Sequence, residues 1–443
     1  MKTVFSSLLV CVVGLSVGQV HGQAQDAANN AVLQDRYIIQ AQPGAEPGGI
    51  ARRHGVAPDF VYTKALNGFA AFVPPGQLAA LSNDPQVAAV IPDHIVTAIG
   101  KPSGGGGSGN AGQTIPAGVQ RIGAATPGYS QTGLGIGVAV VDTGIDLNHA
   151  DLNGTFTDPI SAATIPGLVD LFSAFGGSAM DNNGHGTHVS GIIAARNNTI
   201  DVVGVAPQAT LYAVKVLDAS GSGSDAAVIA GLDAVLNANA TPAIKVVNMS
   251  LGRAASADDS AMHTAVANLV NAGFTVVVAA GNDCNSEISQ QVPAGFAEVI
   301  AVSSSSALTG TVASSRFAAY QVKADSASYF TTDGAGVGIA APGEDQENIS
   351  KAGFLSSVGI LSTKLGGGTT RMSGTSMASP HTAGVVALLY QQANDLTPAG
   401  ARSKLAVGAQ SASTLPYDSP ASCYTFDGVR EGILSAPGAL AAP

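Results

Sequence analysis

Residues 137–144 read GVAVVDTG, an unbroken apolar run that ends in a carboxylate and a glycine turn. Similar runs follow at 211–216, 246–249 and 274–280, and helical patterns separate them. Runs of β-branched residues that alternate with helices are typical of a mostly parallel sheet with helices on both faces. The sequence therefore predicts an α/β domain whose functional groups gather at the carboxyl edge of its strands.

A smaller unit precedes this domain. Strand-like runs at 37–39, 61–62 and 69–73, with a helical pattern at 77–81, predict a small α+β domain. Residues 101–112 read KPSGGGGSGNAG, the composition of a flexible, easily cut linker. We therefore divide the chain into segments 1–22, 23–100, 101–112 and 113–443.

The first segment has the pattern of a secretory signal. Lys2 precedes an apolar run over 4–17, and small residues stand in the sequence VHG at 20–22. The run is shorter than the roughly 20 residues of a spanning helix, so a membrane anchor is the weaker alternative. We expect a secreted protein that leaves the membrane when its signal is removed.

Charge and composition narrow the class of partner. Only 11% of the 443 residues are charged, and the formal net charge is −11 with no run of Lys or Arg. Such a chain is a poor match for nucleic acid or an anionic membrane surface. We expect a compact monomer that uses neither as a partner.

Three cysteines are present. Cys11 lies within the signal segment, which leaves Cys284 and Cys423 in the exported part of the chain. An even number of cysteines in an exported chain favours one disulfide, with two buried free thiols as the alternative.

Four separate positions carry the residue types of nucleophilic catalysis. Asp142 closes the strand at 138–141, where an Asx turn is the ordinary alternative. His185 stands between two glycines in NGHGTHVSG at 183–191, so its imidazole can stay accessible as a general base. A zinc pair with His188 is disfavoured because no Glu lies between the two histidines and no third ligand is near in sequence.

The nucleophile and the oxyanion donor come from two further stretches. Ser376 lies in GTSMASPH at 374–381, at the start of a helix whose amide groups and dipole favour an oxyanion. A simple N-cap serine is the alternative, and Pro380 predicts a distorted first turn. Asn282 ends the apolar run VVAAGN at 277–282, where its amide can donate to a developing oxyanion.

The chain order Asp, His, Asn, Ser joins these four residues into one pattern. With VDTGI at 141–145, HGTHV at 185–189 and GTSMASPH, the chain over 113–405 resembles the subtilisin-like serine proteases. The stretches NGFAA at 67–71 and VAAVI at 87–91 are similar to the inhibitory propeptides of the same family. The resemblance implies a subtilisin-like fold preceded by a ferredoxin-like propeptide that acts as chaperone and inhibitor.

The resemblance also implies roles for individual residues. Ser376 would attack the peptide carbonyl, His185 would carry the proton, and Asp142 would orient the imidazole. Asn282 and the amide of Ser376 would bind the oxyanion. Protein and peptide substrates would pair as an added strand with two segments of the chain. These substrate segments are Ser250, Leu251 and Gly252 on one side and Gly221, Ser222 and Gly223 on the other.

A structural calcium site is a further implication of the resemblance. The family's site uses oxygen ligands from side chains and loop carbonyls, as a hard cation requires. An ordinary polar surface loop is the alternative. The corresponding residues here are Gln113, Asp151, Arg196, Asn198, Ile200 and Val202.

Two regions depart from the family pattern. Residues 343–355 form a longer connection to the serine motif, and residues 411–443 match little. A serine esterase is disfavoured because the G-x-S-x-G elbow is missing, and an inactive binding scaffold is disfavoured because all four catalytic residue types are present. The resemblance therefore implies an endopeptidase that processes its own inactive precursor.

Overall fold

The computed structural model describes residues 31–103, 112–124, 129–157, 162–421 and 428–443. The expected signal segment, most of the linker and Cys423 lie outside the described residues. Among the residues described, no helix combines the length and the apolar character needed to cross a membrane.

The N-terminal unit is a four-stranded antiparallel sheet in the order β4-β1-β3-β2, with two short helices. Its strands are β1 (Val32–Ala41), β2 (Pro58–Tyr62), β3 (Gly68–Phe72) and β4 (Val87–Ala98), and its helices are α1 (Pro47–Arg53) and α2 (Pro75–Ser82). Ile39, Ile50, Phe69 and Leu81 form a separate small core between sheet and helices. The predicted α+β propeptide-like domain is confirmed.

The large domain is built on a seven-stranded parallel sheet in the order β17-β16-β14-β12-β6-β10-β9. The strands are β6 (Gly137–Asp142), β9 (Leu168–Ser173), β10 (Thr210–Lys215), β12 (Ile244–Met249), β14 (Thr275–Ala279), β16 (Ile300–Ser306) and β17 (Val337–Glu344). The predicted α/β fold is confirmed.

Helices cover both faces of this sheet. They are α3 (Ala117–Arg121), α4 (His185–Ala194), α5 (Asp225–Asn237), α6 (Ser260–Asn271), α7 (Thr375–Gln392), α8 (Pro398–Gly408) and α9 (Ala436–Ala441). Successive residues of β6 face opposite layers: Val138 and Val140 share a core with α4 and α7, whereas Ala139 and Val141 share one with α5 and α6. The central strand is therefore apolar throughout until Asp142.

Short strands form the rims of the domain. They are β5 (Lys101–Pro102), β7 (Thr155–Thr157), β8 (Thr164–Pro166), β11 (Ser222–Ser224), β13 (Leu251–Ala254), β15 (Gln291–Val292), β18 (Glu347–Ile349), β19 (Leu355–Ser357), β20 (Ile360–Thr363) and β21 (Thr369–Ser373). The long connection at 343–355 forms the antiparallel hairpin β18–β19. Farther along, Ile433 bridges to Ala340 beside β17, which anchors the C-terminal segment to the sheet.

The last strand of the N-terminal unit joins the two units. The end of β4 lies between β11 and β13 and is antiparallel to both, so that Thr97 is opposite Ser222 on one side and Gly252 on the other. The two predicted substrate segments thus flank a strand of the chain itself.

Candidate active site

Asp142 and His185 meet at the carboxyl edge of the parallel sheet. Asp142 ends the buried strand β6, and His185 begins α4 after Gly184, whose φ of 109° is one that glycine adopts without strain. His185 Nδ1 lies 2.8 Å from Asp142 Oδ1 and 3.0 Å from Oδ2. This contact fixes the orientation of a fully buried imidazole.

The charge around His185 favours its protonated form. Burial acts to lower the pKa of His185, but the charge and hydrogen bond of Asp142, with the charge of Asp181, raise the pKa above its usual value. An imidazole held in this way can accept a proton and be stabilised as a cation.

Asp181 is a member of the candidate site that the sequence analysis missed. Its Oδ1 accepts hydrogen bonds from Thr143 Oγ1 at 2.9 Å and Gly184 N at 3.0 Å, and its Oδ2 accepts one from Thr187 Oγ1 at 2.6 Å. These bonds connect the turn after Asp142 to the start of α4. The position of an aspartate four residues before His185 was the available signal.

Ser376 lies in the first turn of α7 and is fully buried. Its Oγ donates to the carbonyl of Ser250 at 3.0 Å, and His185 Nε2 has no hydrogen-bond partner among the residues described. Among the described residues, Ser376 and His185 are therefore not hydrogen-bonded to each other. Gly100 occupies the space beside the imidazole, where a Cβ on Gly100 would lie 2.6 Å from His185 Nε2.

The expected distortion at Pro380 has a specific compensation. Proline has no amide proton, so the carbonyl of Ser376 loses its normal helical partner four residues later. Ser250 Oγ donates to that carbonyl at 2.9 Å instead. The hydroxyl of one substrate segment thus supports the turn that carries the nucleophile, and α7 continues through Pro380 to Gln392.

Asn282 points its amide at the carbonyl oxygen of Ile99. The Oδ1 atom accepts from Thr375 N at 2.9 Å and Thr375 Oγ1 at 3.0 Å, which turns the amide nitrogen toward the cleft. The Nδ2 atom donates to Ile99 O at 2.5 Å. A carbonyl held by this donor is in the position where an oxyanion would develop.

The residues before Ile99 pair with both predicted substrate segments. Ala98 N donates to Gly221 O at 2.9 Å, and Ile99 N donates to Ser250 O at 3.2 Å. A Cβ placed on Gly252 would lie 3.0 Å from Ile99 Cδ1, so the Ile99 side chain lies against that glycine. The chain fills the cleft as an extended peptide.

The predicted calcium ligands also converge. Gln113 Nε2 lies 2.6 Å from Arg196 O, 3.2 Å from Asn198 Oδ1, 3.3 Å from Ile200 O and 3.0 Å from Val202 O. An amide nitrogen therefore lies among four oxygens from one loop.

Asp151 completes this ligand set. Its Oδ1 accepts from Asn198 Nδ2 at 2.7 Å and its Oδ2 from Val202 N at 3.1 Å. Burial raises the pKa of Asp151 to about 7. Calcium prefers oxygen ligands such as carbonyls, an amide oxygen and a carboxylate, so the residues fit the ion when the Gln113 amide turns its Oε1 toward the loop oxygens.

Two other predictions concern His188 and the cysteines. His188 is fully buried and its Nε2 donates to Ile360 O at 3.0 Å, and burial lowers its pKa to about 3. Cys284 is disulfide-bonded. Its predicted partner Cys423 lies outside the described residues.

A buried Asp–His pair, a serine at a helix start and an asparagine amide aimed at a carbonyl are the parts expected of a serine endopeptidase, and the last strand of the N-terminal domain lies between β11 and β13. The comparisons with known proteins agree. Residues 133–422 match the subtilase family (peptidase S8), and residues 36–98 match the peptidase inhibitor I9 family. The chain belongs to the subtilase family and carries a propeptide inhibitor domain.

Individual relatives cover most of both chains. An extracellular serine proteinase of Thermus sp. (strain Rt41A) is 38% identical over 353 residues, covering 79% of this chain and 73% of the relative. Subtilisin E of Bacillus subtilis (strain 168) is 32% identical over 415 residues, covering 91% and 93%. A crystal structure of a cold-adapted subtilisin-like serine proteinase matches with a TM-score of 0.54 at 29% identity, covering 73% of this chain and 98% of that one.

Proposed function

We propose that this subtilisin-like endopeptidase is secreted as an inactive precursor and cleaves its own chain between Ile99 and Gly100. The observation that carries this proposal is the carbonyl of Ile99, which accepts from Asn282 Nδ2 at 2.5 Å. Gly100 follows directly against His185. The Ile99–Gly100 bond thus occupies the position of a bond about to be cleaved.

The proposed reaction uses the four residues in ordinary serine-protease roles. Ser376 Oγ turns from the carbonyl of Ser250, gives its proton to His185 Nε2 and bonds to the Ile99 carbonyl carbon. Asn282 Nδ2 and the amide of Ser376 stabilise the oxyanion. The C–N bond then breaks, His185 returns the proton to the Gly100 amine, and a water molecule hydrolyses the acyl-enzyme.

The same contacts explain why the precursor would be inactive. β4 occupies the cleft between β11 and β13, so another polypeptide cannot pair with those segments until β4 leaves. Asp233 Oδ1 also accepts from the amides of Thr63, Lys64 and Ala65, which holds the propeptide against α5. Inhibition by the attached domain follows from its main-chain hydrogen bonds.

Secretion is supported by two observations. The chain begins with the pattern of a signal segment. The Thermus relative is described as an extracellular proteinase. Binding substrates mainly through their backbone gives broad cleavage, so we propose general protein hydrolysis outside the cell.

Sequencing the N-terminus of the processed enzyme tests the cleavage site. We expect the initial cut to leave Gly100 as the new N-terminal residue of the enzyme. We expect a Ser376→Ala precursor to remain intact in a purified system. The variant Ser289→Ala, at an exposed serine, should mature normally. Processing of the Ser376→Ala chain on its own would contradict self-cleavage, and a first cut elsewhere would contradict the Ile99–Gly100 assignment.

We also propose that Gln113, Asp151, Asn198 and the loop carbonyls bind a structural calcium ion. A cation bound only by the folded state adds stability by mass action, about 2.7 kcal/mol at 100 times Kd. The buried charge of Asp151 is then neutralised, and the loop that ends at Val202 is fixed.

The calcium proposal is tested by melting the covalently inhibited mature enzyme with calcium and with EGTA. We expect calcium to raise the melting temperature of the parent and of the exposed-site control Asp258→Asn, but not of Asp151→Asn. Equal melting temperatures of the parent in both buffers would show that the loop does not bind the ion.

A further inference from the structure

The residues that follow the proposed cleavage site lie along the edge of β21. Lys101 is opposite Ser373 and Pro102 is opposite Met372 in an antiparallel pairing. Ser103 N continues this pairing by donating to Arg371 O at 3.1 Å. The chain is therefore held as an extended strand through the fourth residue after the Ile99–Gly100 bond.

The fourth residue meets a second element as well. Ser103 Oγ donates to Val358 O at 3.2 Å. A Cβ placed on Gly359 would lie 1.8 Å from that hydroxyl, so the space beside Gly359 is filled by the serine side chain. This position accommodates a small side chain that can donate a hydrogen bond.

The turn at Val358 and Gly359 is held by buried charged groups. Gly359 N donates to Glu344 Oε1, and Arg371 Nη1 donates to Gly359 O at 2.6 Å and pairs with Asp345. Glu344 is fully buried and Asp345 is almost so. The turn follows directly from the hairpin β18–β19, which the long connection at 343–355 contributes.

We propose that Val358, Gly359 and Arg371 form a binding site for the fourth residue on the leaving-group side of the cleaved bond. The site binds the main chain of a polypeptide and selects serine or a residue of similar size at that position. This inference rests on the proposed function, because it treats residues 100–103 as the leaving-group side of a substrate bound in cis.

Peptides that share one sequence before the cleaved bond test the site in the mature enzyme. One series ends after Gly-Lys and another after Gly-Lys-Pro-Ser, both as C-terminal amides. We expect the longer peptide to have a kcat/KM about 3- to 10-fold higher, the range for one or two hydrogen bonds. N-methylserine at the fourth position removes the amide donor and should lose most of this gain, and phenylalanine should lose it through size.

A variant of the turn gives the reciprocal test. Gly359→Ala places a methyl group where the serine hydroxyl lies, so the advantage of the Gly-Lys-Pro-Ser peptide should disappear. In the Gly359→Ala enzyme, a peptide with glycine at the fourth position should regain part of the kcat/KM advantage of the longer peptide. Gly366→Ala controls for alanine at a positive φ, which is 84° at Gly366 and 80° at Gly359, because no atom lies within 4 Å of its added Cβ. The Cβ added at Gly359 also lies 3.0 Å from Met372 O, so the gain from peptide extension is compared within each variant.

Activity on a peptide p-nitroanilide separates this inference from the proposed function. That substrate has no amino acid after the cleaved bond, so its hydrolysis by the parent enzyme and by Gly366→Ala tests the proposed function without the site. Equal kcat/KM for the short and long peptides in an active enzyme would overturn the site. The site would also be overturned if Gly359→Ala left the gain from peptide extension unchanged.

Discussion

Two carboxylates raise the pKa of the imidazole proposed as the base, and of these two only Asp142 contacts it. Asp142 contacts His185 Nδ1 directly, whereas Asp181 acts through its charge and through the residues that it holds in place. The neutral imidazole is the form that can accept the proton of Ser376. The pH at which activity appears should therefore depend on both carboxylates.

Replacing Asp181 with Asn should move the rising limb of the pH–kcat profile of the mature enzyme to lower pH. The substitution removes one of the negative charges that raise the pKa of His185, so the imidazole becomes neutral at lower pH. The profile is measured with a p-nitroanilide substrate from mildly acidic to alkaline pH.

A buried aspartate outside this group provides the control. Asp146 accepts hydrogen bonds from Asn148 N and Gly366 N, and it is not among the charges that shift the pKa of His185. Asp146→Asn should leave the limb in place. A limb that stays unchanged in Asp181→Asn, or moves to higher pH, would show that Asp181 does not act on the base electrostatically.

The sequence could predict where the site residues fall but not all of their contacts. Asp142 and Asn282 both end apolar runs, and strand ends of a parallel sheet share one edge, so their proximity followed from the pattern. The direction of the Ser376 hydroxyl did not. Ser376 Oγ donates to Ser250 O, while Gly100 lies against His185 because the propeptide strand passes through the cleft.

At the scale of elements, the hairpin β18–β19 is the least predictable part of the large domain. Its strand Glu347–Ile349 begins with an acidic residue that is completely buried. Acidic residues are depleted in strands, so the sequence pattern gave no reason to expect this strand. Glu347 Oε1 accepts from Tyr329 N at 3.0 Å, a contact made only in the folded protein.

Glu347 should make the protein less stable as the pH rises. Burial raises the pKa of Glu347 to about 8, with a further contribution from the charge of Glu344, whereas an unfolded glutamate titrates near ~4.3. Between these values the unfolded chain releases a proton that the folded chain keeps, so stability falls as pH rises toward about 8. Above that pH Glu347 is ionised in the folded protein as well, and the free energy of unfolding stays reduced by the full cost of burying its charge.

Glu347→Gln removes this cost, because a neutral amide replaces the carboxyl group. In a Ser376→Ala background, which limits self-digestion, the variant should melt above its parent at pH 9. The difference should shrink to near zero below about pH 4. If Glu347→Gln raised the melting temperature by the same amount at every pH, the ionisation of Glu347 would not be the cause.

At the scale of the whole molecule, two sites that lie 14 residues apart in sequence are assembled at the same time. The carbonyl of Ile99 accepts from Asn282 in the proposed oxyanion hole, while Gln113 already lies among the loop oxygens of the proposed calcium site. Thr114 is also in place, with its amide donating to Asp201 O at 2.9 Å. The glycine-rich composition of residues 101–112 suits a linker that leaves both ends free to bind.

The uncut precursor should therefore bind calcium before its propeptide is removed. We expect a Ser376→Ala precursor to melt at a higher temperature with calcium than with EGTA, and Asp151→Asn in the same background to abolish the difference. At 100 times Kd the linkage is worth about 2.7 kcal/mol, which a calorimetric scan resolves. If calcium stabilises the inhibited mature enzyme but not the Ser376→Ala precursor, then Gln113 reaches the ion only after the chain is cut.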